Sequence, residues 1–220
     1  MLRRALIGSL ALALLSGAAV TSSLAQMPPP STDPASAPAG DYVLDPNHAS
    51  VIARLKHMGL SNFAIRFDSM DASFSFDPKN PGASQVKATV NAASFDVGNQ
   101  KYQDMTLNEH FIRQRDVLGN SKNPNVTFVS TSIKRGEGNR GTMTGNLTLN
   151  GITKPVSFDV VFNGTAPGMG GSPQRMGFSA AGVIRRSDFE IFTKPPIAMP
   201  APILSEDVTL QIEAEFTKKS

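Results

Sequence analysis

Alternating apolar and polar residues recur along this chain in short stretches, which is typical of β-strands with one buried face. The pattern is cleanest near the C-terminus, where every second residue from Val208 to Phe216 is apolar. Residues 145–162 predict two further strands, joined by a tight turn at Asn150-Gly151, a dipeptide that strongly favours a two-residue hairpin. These strands must bury their apolar faces against other strands of the same kind.

About eight such strands can be read along the chain, nearly all consecutive, together with one short helix over 104–111. The first two would be short, over 42–44 and 50–56, and would be separated by the turn residues 45–47. A closed barrel leaves no unpaired strand edge, and this chain has no cysteine for disulfides. We therefore predict an all-β fold, an antiparallel barrel of about eight strands.

The positions that face inward in this barrel mix large and small side chains. Small residues could leave room for an apolar ligand. They could equally interdigitate with the large residues to form a solid core, and the residues alone do not decide between these alternatives. If there is a lumen, the residues predicted to line it are Phe74, Phe76, Phe128, Leu147, Leu149, Phe158, Phe162, Phe178, Ala180, Ile212, Ala214 and Phe216.

The N-terminus predicts export. Arg3 and Arg4 precede a mainly apolar run, and Ser23-Leu24-Ala25 ends in the small residues that signal peptidase requires. We expect a signal peptide over residues 1–25, cleaved before Gln26, and no stable membrane anchor. Residues 26–40 are rich in Pro, Ala and Ser and predict a solvated linker. The barrel domain would then occupy residues 41–220.

The charge balance gives no reason to expect a nucleic-acid partner. The formal net charge is +3, but Arg3 and Arg4 belong to the predicted signal. Without them, 19 basic side chains face 18 acidic ones, which is nearly neutral. Binding to a phosphate backbone requires a clear excess of cations.

Catalytic and metal-binding motifs are absent from the sequence. It has no cysteine, no Gly-x-Ser-x-Gly elbow and no two of its three histidines at metal-ligand spacing. His48 and His57 lie beside predicted turns, where hydrogen bonding to the turn backbone is favoured over a role as ligands. We predict a protein that is not an enzyme and has no metal site and no cofactor.

One charged pair stands near the end of a predicted strand. Arg186 and Asp188 have the same parity, so they could pair with each other, or either could meet Asp104 on the predicted helix. Arg186 would then either bind a ligand oxygen at the barrel mouth or close the barrel end with an internal ion pair. Both alternatives stay open.

Five segments together resemble the YceI-like family of bacterial lipid- or polyisoprenoid-binding proteins. They occur in the family's order and span the predicted barrel. They are residues 42–50 (YVLDPNHAS), 57–59 (HMG), 123–128 (NPNVTF), 145–156 (GNLTLNGITKPV) and 186–189 (RSDF).

The resemblance implies an extended, lipocalin-like barrel in the periplasm, with an isoprenoid quinone tail or polyprenyl lipid in the lumen. We then expect the lipid head group near Arg186, Asp188, Phe189 and Asp104, with the proline-rich loop 195–202 either as a lid or shaping the mouth. Glu190 stands where the family usually has Gly, which leaves the head group open. The alternative is a stress-related or protein-interaction module that uses the barrel as a scaffold. A homodimer is one option for either.

Overall fold

The computed structural model describes residues 29–113, 122–168, 170–191 and 203–219. Within these ranges the chain is almost entirely β-structure, with one short α-helix. The elements in chain order are β1 (Gly40–His57), β2 (Ser61–Phe67), β3 (Met70–Phe76), β4 (Gln85–Asn91), β5 (Phe95–Asp96), β6 (Lys101–Tyr102), β7 (Met105–Thr106), α1 (Leu107–Arg113), β8 (Asn125–Arg135), β9 (Arg140–Leu149), β10 (Ile152–Ala166), β11 (Arg175–Arg185) and β12 (Leu204–Lys218).

Eight of these strands close into an antiparallel barrel, which confirms the predicted fold. Around the barrel they follow the order β1, β12, β11, β10, β9, β8, β4 and β3, and β3 pairs again with β1. The first half of β1 pairs with β3, and its second half pairs with β2 on the same edge. Strands β2 and β3 therefore lie end to end beside β1, and β2 continues outward to β5.

Strand β1 corrects one expectation. Two short strands separated by a turn were predicted, but β1 is a single strand of 18 residues. Leu44 lies opposite Phe216 and Ala49 lies opposite Ala214, so four residues of β1 face one residue of β12. Residues 45–48, which include the predicted turn 45–47, form a bulge in β1. A bulge can absorb extra residues, including a proline, without ending the pairing.

The hairpin between β9 and β10 is confirmed. Leu149 lies opposite Ile152, and the two turn residues have positive φ angles, 53° at Asn150 and 75° at Gly151. This is the geometry that fits the twist of the flanking strands and favours Asn-Gly. The Asn150 side chain also donates a hydrogen bond to the Phe189 carbonyl at 3.1 Å, which ties the hairpin to the 3₁₀-helix that follows β11.

The described part of the predicted linker is mostly exposed, and it also contacts the barrel. Ser31 pairs with Thr165 of β10 through two backbone hydrogen bonds of 3.1 and 2.9 Å. Ala37 is almost fully buried, and the buried Tyr42 donates its hydroxyl to the Pro38 carbonyl at 2.7 Å. Composition suggested solvation because Pro and Ala rarely signal packing, but the segment finds partners on the barrel.

Helix α1 begins three residues later than predicted. The Thr106 hydroxyl accepts a hydrogen bond from the Glu109 amide at 3.2 Å, and the Glu109 carboxylate accepts one from the Thr106 amide at 2.8 Å. This reciprocal capping box fixes the start of the helix. Phe111 stacks on Phe63 of β2 with ring centroids 5.5 Å apart, so the helix packs beside the end of the barrel where β1 ends. No helix among the described residues is long and apolar enough to cross a membrane.

Candidate ligand-binding cavity

The barrel encloses a cavity of about 360 Å³. It exists because the inward positions of β1, β3, β4 and β8 to β12 supply an apolar wall that does not fill the centre. This volume lies within the range of small-molecule sites. Of the two alternatives that the sequence left undecided, a cavity and a solid core, the structure therefore has the cavity.

All twelve residues predicted for the lumen lie on the cavity wall. They include seven phenylalanines whose rings pack edge to face or tilted against a neighbouring ring, among them Phe74 and Phe216 with centroids 4.9 Å apart. Such contacts hold the rings in place without polar partners. Their contact with a ligand stays a prediction.

Small inward residues turn out to serve two different purposes. Ala180 and Ala214 lie on the wall, where they leave space. Gly182 does not line the cavity, because the ring of Phe158 fills the position where its side chain would stand; an added Cβ would lie 2.7 Å from Phe158 Cδ1. Gly145 likewise accommodates Phe128. The lumen is thus open at Ala180 and Ala214, whereas phenylalanine rings fill the space beside Gly145 and Gly182.

The prediction that Arg186 pairs with Asp188 or Asp104 is wrong, because its partner is Glu206. The Arg186 guanidinium lies 2.8 Å from the Glu206 carboxylate, and it donates hydrogen bonds to the carbonyls of Ser205, Ile191 and Leu204 at 2.8, 3.2 and 3.3 Å. A hydrogen bond from Ser187, with the positive charge of Arg186, holds the pKa of Glu206 below its usual value. Strand parity failed because β11 ends at Arg185 and a 3₁₀-helix follows.

The four predicted head-group residues do not assemble on the wall. Only Arg186 lines the cavity, and it is 9% exposed. Asp188 and Asp104 are exposed and lie off the wall. Phe189 is buried in the core that closes this end of the barrel. Of the two alternatives for Arg186, the contacts favour an internal ion pair that closes the barrel end. Ligand contact by any of the four residues stays a prediction.

The exposed part of the wall lies mainly at the opposite end of the barrel. Lys134 and Arg135 at the end of β8, and Arg140 at the start of β9, line the cavity and are exposed. Gly82, whose added Cβ would lie 3.2 Å from the Ile133 carbonyl, is exposed beside them. Sequence reasoning missed this mouth, although three cations within seven residues at a strand turn were a readable signal.

A second charged cluster surrounds the bulge of β1. Arg175 of β11 donates hydrogen bonds to Asp45 at 2.7 Å and to Glu215 at 3.1 Å, and His48 Nδ1 lies 2.9 Å from Asp45. The hydrogen bond from Arg175, followed by that from His48, lowers the pKa of Asp45 to about 2. Ligand atoms of Asp45, His48 and Glu215 lie within 4.8 Å of one another, but a guanidinium already supplies the cation there. The cluster fits an ion-pair network.

Two expectations lie outside the described residues. They are the signal peptide over residues 1–25 and the lid over residues 195–202.

A family model described as the YceI-like domain matches residues 42–216. Protein YceI of Escherichia coli O6:H1 is 39% identical over 160 residues, which are 72% of this chain and 80% of that protein. A UPF0312 protein of Pseudomonas aeruginosa is 40% identical over 155 residues, which are 70% of this chain and 77% of that protein.

Solved structures share the barrel. The crystal structure of a Campylobacter jejuni YCEI protein matches with a TM-score of 0.59 and 30% identity, over 75% of this chain and 90% of that one. Burkholderia cenocepacia BcnA matches in fold with a TM-score of 0.64 and 24% identity, over 78% and 98% of the two chains. A polyisoprenoid binding domain from Saccharophagus degradans matches in fold with a TM-score of 0.55 and 13% identity, over 81% and 98%. The chain belongs to the YceI-like family.

Proposed function

We propose that this protein is an exported binding protein that holds the isoprenoid chain of a quinone or polyprenyl lipid in its barrel lumen. The observation that carries the proposal is the apolar cavity of about 360 Å³ with one buried end and one exposed end. A long apolar chain fits this shape because its tail can enter the lumen while its head group stays near water.

The energetics of burial support an apolar ligand. Each square ångström of apolar surface removed from water contributes about 25 cal/mol. Aromatic and aliphatic walls present such surface without polar groups that would need hydrogen-bonding partners. The fold shared with a domain that is named for polyisoprenoid binding points to the same ligand class.

Binding rather than catalysis, and a periplasmic location, belong to the same proposal. The cavity wall consists mainly of apolar side chains, which favours retention of a chain over chemistry on it. The N-terminal basic, apolar and small-residue pattern supports export and cleavage before Gln26. A homodimer stays a prediction.

Two neighbouring alanines on β11 provide a matched test. Ala180 lines the cavity opposite Val160 and Ile212, whereas Ala181 is exposed on the outer face. We expect Ala180→Phe to weaken binding of geranylgeraniol by at least about tenfold, or 1.4 kcal/mol, because the new ring occupies the lumen. Ala181→Phe should bind like the wild type. Native mass spectrometry of a ligand titration measures both.

Thermal unfolding shows whether each variant is folded. Equal binding by folded Ala180→Phe and Ala181→Phe would show that the ligand does not use the lumen. Should Ala180→Phe fail to fold, Ala214→Phe tests the same wall from β12, since Ala214 also lines the cavity.

A further inference from the structure

A segment that precedes the family-matched residues lies at the end of the barrel where β8 turns into β9. We call residues 31–38 the strap. Strand β9 begins at Arg140 opposite Val161, so the end of β10 runs past β9. The strap pairs with this part of β10, because Ser31 and Thr165 exchange two backbone hydrogen bonds of 3.1 and 2.9 Å. The strap therefore extends the sheet at this end of the barrel.

The close approach of the strap depends on a glycine in β10. Gly164 has a φ of 138°, a conformation that favours glycine. A Cβ added there would lie 2.8 Å from Pro30 Cβ and 3.0 Å from the Ser31 carbonyl oxygen. The absence of a side chain at Gly164 thus provides the space in which the strap docks.

The other end of the strap packs against the lumen wall. Ala37 is 2% exposed and belongs to an apolar cluster that includes Tyr42, Phe74 and Phe162. Both phenylalanines of this set line the cavity. Tyr42 is fully buried, and its hydroxyl donates a hydrogen bond to the Pro38 carbonyl at 2.7 Å. A buried hydroxyl is costly to leave unpaired, so this bond stabilises the docked strap.

Between these two anchors the strap contributes to the cavity wall. Pro34 lines the cavity, whereas Asp33 and Ser36 are exposed. The Asp33 carboxylate accepts a hydrogen bond from the Ala35 amide at 2.9 Å, and the Ser36 hydroxyl donates to the Ser31 hydroxyl at 2.7 Å. These bonds shape the strap without attaching it to the barrel. The strap can therefore leave the barrel as a unit when its two ends detach.

We propose that the strap is a gate, and that an apolar ligand enters and leaves the lumen past Pro34 when the strap detaches. This inference rests on the proposed function of the lumen. Opening breaks the two backbone hydrogen bonds to Thr165 and the bond from Tyr42 to Pro38. The pairing of the eight barrel strands stays intact, because the strap is not one of them. Segments that move during ligand entry are the ones held by few buried contacts.

Two alanines of the strap give a matched test. Ala37→Asp places a charge at a buried apolar site, which is costly, so the strap should detach. Ala35→Asp places the same charge at an exposed position and should leave the strap docked. We expect geranylgeraniol to exchange at least about tenfold faster in Ala37→Asp than in Ala35→Asp, because the exchange rate scales with the fraction of open molecules. Time-resolved native mass spectrometry with a chase of deuterated ligand measures the rates.

A reversible crosslink tests the closed state. Paired residues such as Ser31 and Thr165 have Cα atoms about 5.5 Å apart, which a disulfide can span. The chain has no cysteine, so Ser31→Cys/Thr165→Cys can form only one disulfide within the chain. We expect its oxidised form to exchange geranylgeraniol at least about tenfold more slowly than its reduced form. The control is Thr148→Cys/Thr153→Cys in the β9–β10 hairpin, where the two hydroxyls lie 2.8 Å apart. Its two forms should exchange equally.

Equal rates in the oxidised and reduced strap variant would overturn the gate and leave the lipid-binding lumen intact. Limited proteolysis should cut the strap in Ala37→Asp and not in Ala35→Asp, and equal exchange rates despite such a cut would also overturn the gate. Failure of Ala37→Asp to fold would show that the strap belongs to the folded barrel and does not detach. Failure to crosslink would contradict the pairing of Ser31 with Thr165. If no form binds geranylgeraniol, the proposed function itself fails, and the gate with it.

Discussion

At the scale of single residues, Gly182 makes room for a phenylalanine ring, whereas Ala180 and Ala214 leave the lumen open. Gly182 faces the ring of Phe158, and an added Cβ would also lie 2.9 Å from the Ser157 carbonyl. Phe158 in turn packs edge to face on Phe128 at 5.4 Å. This ring pair can form because glycine beside each ring carries no side chain, and both rings line the cavity.

Gly182→Ala should therefore destabilise the protein by about 1–3 kcal/mol, the usual cost of overpacking. Gly177→Ala is the matched control on the same strand, since its Cβ would meet Asn163 Cβ at an ordinary 3.5 Å. The control should be neutral or slightly stabilising, because alanine restricts the unfolded chain. Urea unfolding midpoints give both values. Equal midpoints for the two variants would contradict the packing of Phe158 against Gly182.

At the scale of elements, the bulge in β1 depends on contacts that are distant in sequence. Arg175 of β11 reaches Asp45, whose side chain is 12% exposed. The same Asp45 carboxylate accepts a hydrogen bond from the Asn47 amide at 3.1 Å through its other oxygen. The ion pair therefore fixes the residues that would otherwise form a turn, and β1 continues past them to pair with β12.

The lowered pKa of Asp45 predicts a pH-dependent contribution to stability. Because its pKa falls from 3.8 to about 2 on folding, the stabilisation is present above about pH 4 and is lost as pH falls toward 2. Discounted for the partly exposed Arg175, it amounts to about 1–2 kcal/mol. Asp45→Asn should lower the unfolding free energy by this amount at neutral pH, and the difference should vanish near pH 2.

Asp68→Asn is the control for an exposed ion pair. Asp68 lies 2.7 Å from Arg66, and both side chains are about half exposed, so its replacement should change stability little at either pH. Urea unfolding at the two pH values distinguishes the variants. A pH-independent difference between Asp45→Asn and the wild type would mean that the carboxylate charge is not what stabilises the bulge.

Predictability also varies between elements. Strands β10 and β12 were readable because most of their residues alternate between a buried and a more exposed side chain. The bulge of β1 was not, because the partner that stabilises Asp45 comes from β11. Arg186 was misplaced for a related reason. Alternation describes a strand, and the chain leaves the strand at that residue to form a 3₁₀-helix that ends with Glu190 at a φ of 56°.

The whole molecule is closed by its first and last long strands. Strand β1 pairs with β12 from Tyr42 opposite Lys218 to His57 opposite Leu204. Arg186 and the buried Phe189 then seal one end, and the opposite end, where β8 turns into β9, is more exposed. The sequence was sufficient to predict the lumen wall, because side-chain alternation is local. It was not sufficient to show which end opens, because that depends on how loops from distant strands pack.

Native mass spectrometry of protein purified without detergent from producing cells tests the central claim most directly. We predict the mass of the chain from Gln26 onward plus an additional mass, which organic solvent releases and fragmentation identifies as an isoprenoid lipid. Detection of the bare chain, with no isoprenoid in the extract and no uptake of added geranylgeraniol, would contradict the account and would favour a scaffold for protein contacts.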